Sequence, residues 1–283
     1  MIFDDTPCTL GEGALWHSDR GALIWFDILE KRLYMKAPGG AGQSWDFADH
    51  VSAAGIVDRD RLIVASSRAL FEFDLRDGSR RDLIALEAEN PLTRSNDGRA
   101  DPHGGFWIGT MGLNAEPGAG SIWRYFRGEL RRLFTDITIT NAICFSPDGR
   151  HGHFADTAKG IINRVALDAE GWPVGAPRPF IDLSAEGLNP DGAIIDAEGC
   201  LWTAQWGAAR VACYDAKGQF LRAITFPASQ ISCPAFGGPD LRTLYATSAR
   251  QGLLSPQPQD GCTFAADAGA RGQREHRVLL DQV

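Results

Sequence analysis

The sequence predicts an all-β fold, and more specifically a six-bladed β-propeller. Short runs rich in Val, Ile, Phe and Trp alternate with clusters of Gly, Asp and Pro, and helical periodicity is nearly absent. Six segments share a pattern of small or apolar residues, a turn containing Asp or Gly, and an apolar strand with a large side chain. Because repeats of this length are typical of four-stranded blades, six of them fill residues 1–283 as one domain.

Each of the six segments predicts one blade. In chain order they read EGALWHSDRGALIWFDI, AAGIVDRDRLIVAS, NDGRADPHGGFWIGT, NAICFSPDGRHGHFADT, DGAIIDAEGCLWTAQ and CPAFGGPDLRTLYATS. They begin at Glu12, Ala53, Asn96, Asn141, Asp191 and Cys233, at spacings of 41, 43, 45, 50 and 42 residues. We expect residues 2–9 to pair with the last blade, because closing a propeller leaves no exposed edge there.

Composition and charge argue against several classes of function. The net charge is −8 with Lys and Arg scattered, so the basic patch of a nucleic-acid-binding protein is missing. The chain has no run of about 18 apolar residues, and MIFDDTPCTLGEG does not resemble a signal peptide. The six cysteines are far apart, as expected of reduced thiols. We therefore expect a cytoplasmic, monomeric or weakly dimeric protein without nucleic-acid or membrane partners.

Polar residues recur at the first position of four of the six segments. If the segments are equivalent strands, Glu12, Asn96, Asn141 and Asp191 lie at one radius and one height around the central channel. The Asn-Asp-Gly sequence at 96–98 is also explained by turn chemistry, and any one Asx residue alone can cap a turn. Four at equivalent positions favour a site. Two carboxylates there repel unless they are protonated or bridged by a cation, which predicts a divalent metal with oxygen ligands.

The same residues carry a resemblance to a known family. The matching stretches are LGEGALW (10–16), RSNDGRADPHGGFWIGTM (94–111), ITNAICFSPDGR (139–150), NPDGAIIDAEGCLWTAQWG (189–207) and FGGPDLRTLYATSAR (236–250). In these stretches the chain resembles the regucalcin/gluconolactonase family of six-bladed propellers. The resemblance implies a divalent metal held by Glu12, Asn141 and Asp191, with Arg94 and Asn96 binding a sugar lactone. For Arg94, a structural ion pair remains the alternative.

Glu116 and Trp206 are weaker candidates. Glu116 stands where some members of the family carry a substrate-contacting Glu, which implies the same role here, and a solvated loop carboxylate explains it equally well. Trp206 directly follows a predicted blade strand. For this side chain, packing in the core or at the rim is favoured over stacking on a sugar.

The resemblance and the residue types together predict a metal-dependent lactonase. Such an enzyme hydrolyses an aldono-1,4- or 1,5-lactone to the open sugar acid, with Asp191 as general base and the metal as Lewis acid. Ca²⁺ and Zn²⁺ are the principal candidates, and Mn²⁺ and Fe²⁺ also suit oxygen ligands. The alternatives are a promiscuous metal-dependent esterase or phosphotriesterase, and a non-catalytic metal-binding propeller. Serine-hydrolase, zinc-peptidase, phosphate-loop and dinucleotide motifs are missing.

Overall fold

The computed structural model describes residues 1–280, which form 24 β-strands and two short 3-10 helices, Thr157–Lys159 and Ser184–Glu186. The strands are β1 Ile2–Asp4, β2 Gly11–His17, β3 Ala22–Asp27, β4 Arg32–Lys36, β5 Gly42–Asp46, β6 Val51–Ile56, β7 Arg61–Ser66, β8 Ala69–Asp74, β9 Arg80–Ala85, β10 Thr93–Ala100, β11 Phe106–Gly112, β12 Gly120–Phe126, β13 Glu129–Ile137, β14 Thr140–Phe145, β15 His151–Asp156, β16 Ile161–Leu167, β17 Pro173–Asp182, β18 Asn189–Ile195, β19 Leu201–Trp206, β20 Arg210–Tyr214, β21 Phe220–Thr225, β22 Gln230–Gly237, β23 Thr243–Ala249 and β24 Thr263–Asp267. Neither helical segment in residues 1–280 has the length and apolar character needed to cross a lipid bilayer.

The strands form six four-stranded antiparallel sheets, which are the blades of a propeller. Blades 1 to 5 are β2–β5, β6–β9, β10–β13, β14–β17 and β18–β21, and blade 6 combines β22–β24 with β1. The first strand of every blade contacts the first strands of both neighbouring blades, so β2, β6, β10, β14, β18 and β22 surround a central channel. The predicted six-bladed propeller is therefore confirmed.

The ring is closed by the N-terminal strand. In blade 6, Ile2 pairs with Phe264 and Asp4 with Thr263, and the Met1 amino group donates to the Ala265 carbonyl oxygen at 2.8 Å. The expected pairing of the N-terminal residues with the last blade is confirmed. This pairing gives blade 6 its fourth strand and satisfies the outer edge of β24.

Burial falls from the inner strands to the outer strands of each blade. All seven residues of β2 are buried, whereas β5 in the same blade is mostly exposed. The large side chains of the repeat, Trp25, Trp107 and Trp202, lie fully buried on the second strands of blades 1, 3 and 5. The aromatic position of the repeat therefore packs between blades, and the first strand is left to line the channel.

A C-terminal segment, residues 271–279, crosses the channel at the end where the first strands finish. It hydrogen bonds to residues of all six blades: Asp19, Ile56, Arg99, Gly104, Phe145, Ile195, Ala197 and Leu241. Inside the channel, Arg99 and Glu275 form a salt bridge of 2.5 Å, and both side chains are buried. This segment closes one end of the channel, so access is from the opposite end.

Candidate functional site

A cavity of about 530 Å³ opens at the end of the channel where the first strands begin. Its polar lining includes the four predicted channel residues, Glu12, Asn96, Asn141 and Asp191, together with Arg94. Four different blades contribute these side chains because the first strands of all blades start at this end. The convergence predicted from the repeat is confirmed.

The equivalence of the four polar starting residues holds to within one residue. Glu12 and Asn141 occupy the last regular pairs before a β-bulge, opposite Phe26 and Ala155. Asn96 and Asp191 lie one residue further on, inside the corresponding bulges.

The register of blade 6 differs from the prediction for a similar reason. The pairs Ile231–Ser248 and Pro234–Ala246 put Cys233 at the second bulged position, which in blade 3 is occupied by Asp97 rather than Asn96. The repeat spacing in the sequence does not predict this shift, because a bulge inserts unpaired residues without changing the repeat pattern.

Hydrogen bonds fix the orientation of two side-chain amides in the cavity. Arg94 Nη1 donates to Asn96 Oδ1 at 2.7 Å and to the Ser95 carbonyl oxygen at 2.9 Å. Asn96 Nδ2 donates to the Thr140 carbonyl oxygen at 2.8 Å and to Asn141 Oδ1 at 3.2 Å. Both donors of Asn96 are therefore used within the protein, and its oxygen keeps one lone pair for another partner.

Thr157 extends the same network and was not predicted from the sequence. Asn141 Nδ2 donates to Thr157 Oγ1 at 2.8 Å, and Thr157 Oγ1 donates to the Pro190 carbonyl oxygen at 2.7 Å. With its nitrogen bound to Thr157, Asn141 presents its oxygen on the side of Asn96. The repeat spacing does not identify Thr157 as a site residue, because it follows the second strand of blade 4 rather than starting a first strand. The folded structure brings it next to Asn141.

Glu12 and Asp191 line the same cavity, both residues are buried, and they lie close enough for each to affect the pKa of the other. Burial raises the pKa of both groups, the negative charge of Asp97 raises both further, and the charge of Glu12 adds to the rise at Asp191. Burial also lowers the pKa of Arg94 to about 10, although the two carboxylates oppose that shift. Two buried acids beside one buried guanidinium leave an excess of negative charge when ionised.

Asp97 is a third buried carboxylate beneath this pair, and sequence analysis treated it only as part of a turn. Residues 96–98 lie within β10 instead, so the turn interpretation of Asn-Asp-Gly is wrong. Asp97 Oδ2 accepts a hydrogen bond from the Ile143 backbone N–H at 2.7 Å. Burial raises the pKa of Asp97 to about 6, against the opposing charge of Arg99.

The donor set fits a divalent cation with oxygen ligands. Glu12 and Asp191 offer carboxylate oxygens, and Asn141 offers an amide oxygen whose direction is set by its own hydrogen bonds. Among residues 1–280, no group of three His, Cys, Asp or Glu side chains is placed to hold a metal ion, so a cation bound between Glu12 and Asp191 would take its third protein ligand from the amide. Oxygen ligands with two negative charges suit Ca²⁺ and compatible ions.

The other predicted residues have distinct placements. Arg94 has no salt-bridge partner among residues 1–280, and it uses Nη1 for both of its hydrogen bonds. Glu116 lies outside the cavity lining, where its carboxylate accepts hydrogen bonds from the backbone and side-chain nitrogens of Asn114. Asn114 itself lines the cavity, as does Trp206.

The rest of the cavity wall is neutral and combines apolar side chains with amides. Its large apolar side chains are Leu10, Met111, Leu113, Ile139 and Trp206, and the neutral polar side chains Asn114, Thr157, Gln230 and Gln251 lie among them. Among the lining residues that the structure describes, Arg94 supplies the only cationic side chain. The cavity therefore combines a charged floor with walls that suit the C–H faces of a neutral ligand.

Fold and site together define a six-bladed propeller with a carboxylate and amide site at the open end of its channel. Residues 10–250 match the family model described as SMP-30/Gluconolactonase/LRE-like region. The chain belongs to this family.

Individual relatives agree with this assignment over nearly the whole chain. The L-arabinolactonase of Azospirillum brasilense is 37% identical over 288 residues, covering 98% of this chain and 94% of that protein. The 6-deoxy-6-sulfogluconolactonase of Pseudomonas putida is 33% identical, covering 95% and 94%. The crystal structure of a calcium-binding protein, regucalcin, from Agrobacterium tumefaciens superposes with a TM-score of 0.95 at 39% identity, covering 99% and 97%.

Proposed function

We propose that this chain is a sugar lactone lactonase, a hydrolase that opens the ester bond of an aldono-1,4- or 1,5-lactone with the help of a divalent metal ion. The observation that carries the proposal is the cluster of Glu12, Asn141 and Asp191 oxygens beside Arg94 in a cavity of about 530 Å³. Relatives at 33–37% identity that are named lactonases support the same reaction class.

Glu12, Asn141 and Asp191 would hold the metal ion. When bound, the ion polarises the lactone carbonyl and makes a water molecule more acidic. Glu12 supplies charge, and Asn141 supplies a neutral oxygen that its bond to Thr157 keeps directed away from that residue. A bound cation would favour the ionised forms of both buried carboxyl groups, against the burial that raises their pKa.

Asp191 serves as the general base. Its carboxylate accepts a proton from the attacking water, whose oxygen forms a new bond to the carbonyl carbon. The ester bond to the ring oxygen then breaks, and that oxygen takes the proton back from Asp191 to become the free hydroxyl of the sugar acid. Arg94 can donate from Nε and Nη2 to the carbonyl oxygen or to a ring hydroxyl, since its other bonds use only Nη1.

Asn96 contacts substrate in this proposal as an acceptor. Its two N–H donors are bound to Thr140 and Asn141, so the free lone pair on Oδ1 remains for a sugar hydroxyl. Glu116 affects substrate binding indirectly in this proposal. Its carboxylate accepts hydrogen bonds from Asn114 and so fixes the position of Asn114 in the cavity wall.

The sequence leaves two alternatives to lactonase activity. A promiscuous esterase or phosphotriesterase would use the apolar wall formed by Leu113, Ile139 and Trp206. A non-catalytic metal-binding propeller would need the carboxylates, but it gives no role to Arg94 in the cavity. A lactonase would use both the charged residues at the floor of the cavity and the residues of its wall, so we favour lactonase activity.

A panel of substrates tests the proposal. Acid release from pentono- and hexonolactones, aryl esters and a phosphotriester is followed after chelation and after return of Ca²⁺, Zn²⁺, Mn²⁺ or Fe²⁺, with spontaneous opening subtracted. We expect turnover of sugar lactones that is lost on chelation and restored by one of these ions. Turnover of aryl esters alone, or full lactone turnover by metal-free protein, would contradict the proposal.

A further inference from the structure

The residues that follow Glu12 and Asn141 adopt the same unusual backbone conformation. Gly13 has φ of 61° and Ala142 has φ of 56°, both in the left-handed region. A glycine enters that region without strain, whereas the Cβ of alanine makes it unfavourable. The backbone after Asn141 therefore needs a stabilising contact to keep Ala142 in this conformation. The backbone after Glu12 does not, because it has Gly13 at that position.

Asp97 supplies a contact at the strained turn. In β14, Asn141 pairs with Ala155 and Cys144 with His153, so Ala142 and Ile143 lie in a bulge outside the strand pairing. The Ile143 N–H that this bulge releases donates to Asp97 Oδ2 in the neighbouring blade at 2.7 Å. Asp97, Ala142 and Ile143 are all buried, so water offers no ready replacement for this bond.

The equivalent position between blades 6 and 1 holds a chemically weaker acceptor. Cys233 occupies the blade-6 position that matches Asp97, so a thiol, which donates to the Pro234 carbonyl oxygen at 4.0 Å, stands where blade 3 has a carboxylate. Sulfur is a poor acceptor compared with a carboxylate. The strong acceptor thus lies opposite the strained Ala142, and the weak one lies opposite the unstrained Gly13.

We propose that Asp97 is a positioning residue that holds Ala142 in its left-handed conformation through the Ile143 N–H, and so aims the Asn141 amide oxygen at the divalent cation. This inference rests on the metal site of the proposed function, but not on the lactone reaction. Asn96 and Thr157 orient the amide group itself, whereas Asp97 secures the backbone that carries it.

Metal affinity in a double-mutant cycle tests the inference. The dissociation constants of Ca²⁺ and of Zn²⁺ are measured by calorimetry on chelator-stripped protein for Asp97→Asn and Asp97→Ala, each made with the natural Ala142 and with Ala142→Gly. Asp97→Asn removes the charge but keeps an oxygen acceptor, whereas Asp97→Ala removes both. Cys233→Ala is the matched control at the equivalent position of blade 6.

The expected result is a coupling between positions 97 and 142. With Ala142, Asp97→Ala should bind the cation about tenfold more weakly than Asp97→Asn, and in the Ala142→Gly background this difference should fall to about twofold or less. Cys233→Ala should change the affinity less than about twofold, because Gly13 needs no support. Circular dichroism and melting confirm the fold of each variant. If Asp97→Ala does not fold, Asp97→Glu, which keeps the charge and displaces the acceptor, replaces it in the same cycle.

If the ratio of the dissociation constants of Asp97→Ala and Asp97→Asn is the same with Ala142 as with Ala142→Gly, the role of Asp97 is overturned. The proposed function is unaffected by that outcome. If the wild-type protein binds neither ion, the proposed metal site is ruled out, and this inference is ruled out with it. Lactone turnover does not enter either comparison.

Discussion

The carboxylic residues Glu12 in blade 1 and Asp191 in blade 5 line the same cavity, although both are buried. Without a cation, this arrangement is favourable only while at least one of the two groups keeps a proton. With a cation between their oxygens, both groups can ionise. Proton binding and metal binding are therefore linked at this site.

The first prediction follows from the raised pKa values of this pair. Above the ordinary pKa of 4.5 for Glu12, the metal-free folded protein binds more protons than the unfolded chain, until pH passes the raised folded-state values. Its free energy of unfolding should therefore fall as pH rises through that window. Urea titrations in chelator between pH 5 and pH 8 measure this slope, and Glu12→Gln should flatten it. A metal-free protein that gains stability over this range would contradict the assignment.

Metal binding should reverse this loss of stability. At a free metal concentration about 100 times the dissociation constant, linkage adds roughly 2.7 kcal/mol to the free energy of unfolding. The gain in melting temperature should be larger at pH 8 than at pH 5, because protons compete with the cation for Glu12 and Asp191. Glu12→Gln should reduce the gain, and equal gains at both pH values would argue against shared ligands.

Asp191→Asn tests the general base. The variant keeps an oxygen ligand and nearly the same volume, so we expect lactone turnover to fall about 10²–10⁴-fold with part of the metal affinity retained. Enzyme-dependent opening is measured after subtraction of spontaneous hydrolysis, with metal content determined on the same sample. Asp5→Asn, at a position away from the cavity lining, is the control. Near wild-type turnover with metal bound would show that Asp191 is a ligand only.

The cavity wall predicts discrimination by substrate charge. Because Arg94 is the only cationic side chain in the described lining, the 6-phosphate of glucono-1,5-lactone should show kcat/KM at least about tenfold below that of the neutral lactone. Leu113 lines the cavity and is 43% exposed, so Leu113→Arg should narrow the difference. Leu221→Arg adds the same charge on the outer strand of blade 5 and should leave the ratio unchanged. Equal kcat/KM values for the two lactones in the wild-type protein would contradict the prediction that the cavity discriminates against anionic substrates.

The closed end of the channel predicts a stability effect that is separate from the site. Glu275→Gln leaves the buried Arg99 guanidinium uncompensated, and the loss of one partner of such a pair costs about 3–5 kcal/mol. The exposed pair between Arg131 and Glu129 is the matched control, since Glu129→Gln should cost no more than about 1 kcal/mol. Urea unfolding measures both variants. Similar small losses would mean that the C-terminal segment contributes little to closing the channel.

The repeat in the sequence was sufficient to predict the propeller and its inner ring. Each repeat places a small or polar residue near the start of the first strand, and five of the six place a large aromatic residue on the second, β7 being aliphatic instead. Both positions follow directly from local alternation. That local pattern is why Glu12, Asn96, Asn141 and Asp191 could be assigned to one end of the channel before the structure was known.

The tertiary structure alone decided how those residues are oriented and supported. The bulges shift Asn96 and Asp191 by one residue relative to Glu12 and Asn141, and they free the Ile143 N–H that Asp97 accepts. Thr157 and the C-terminal segment reach their partners from distant parts of the chain. Periodicity reports which face of a strand a residue occupies, but hydrogen bonds between blades depend on register and closure. Those features exist only once all six blades are packed into a ring.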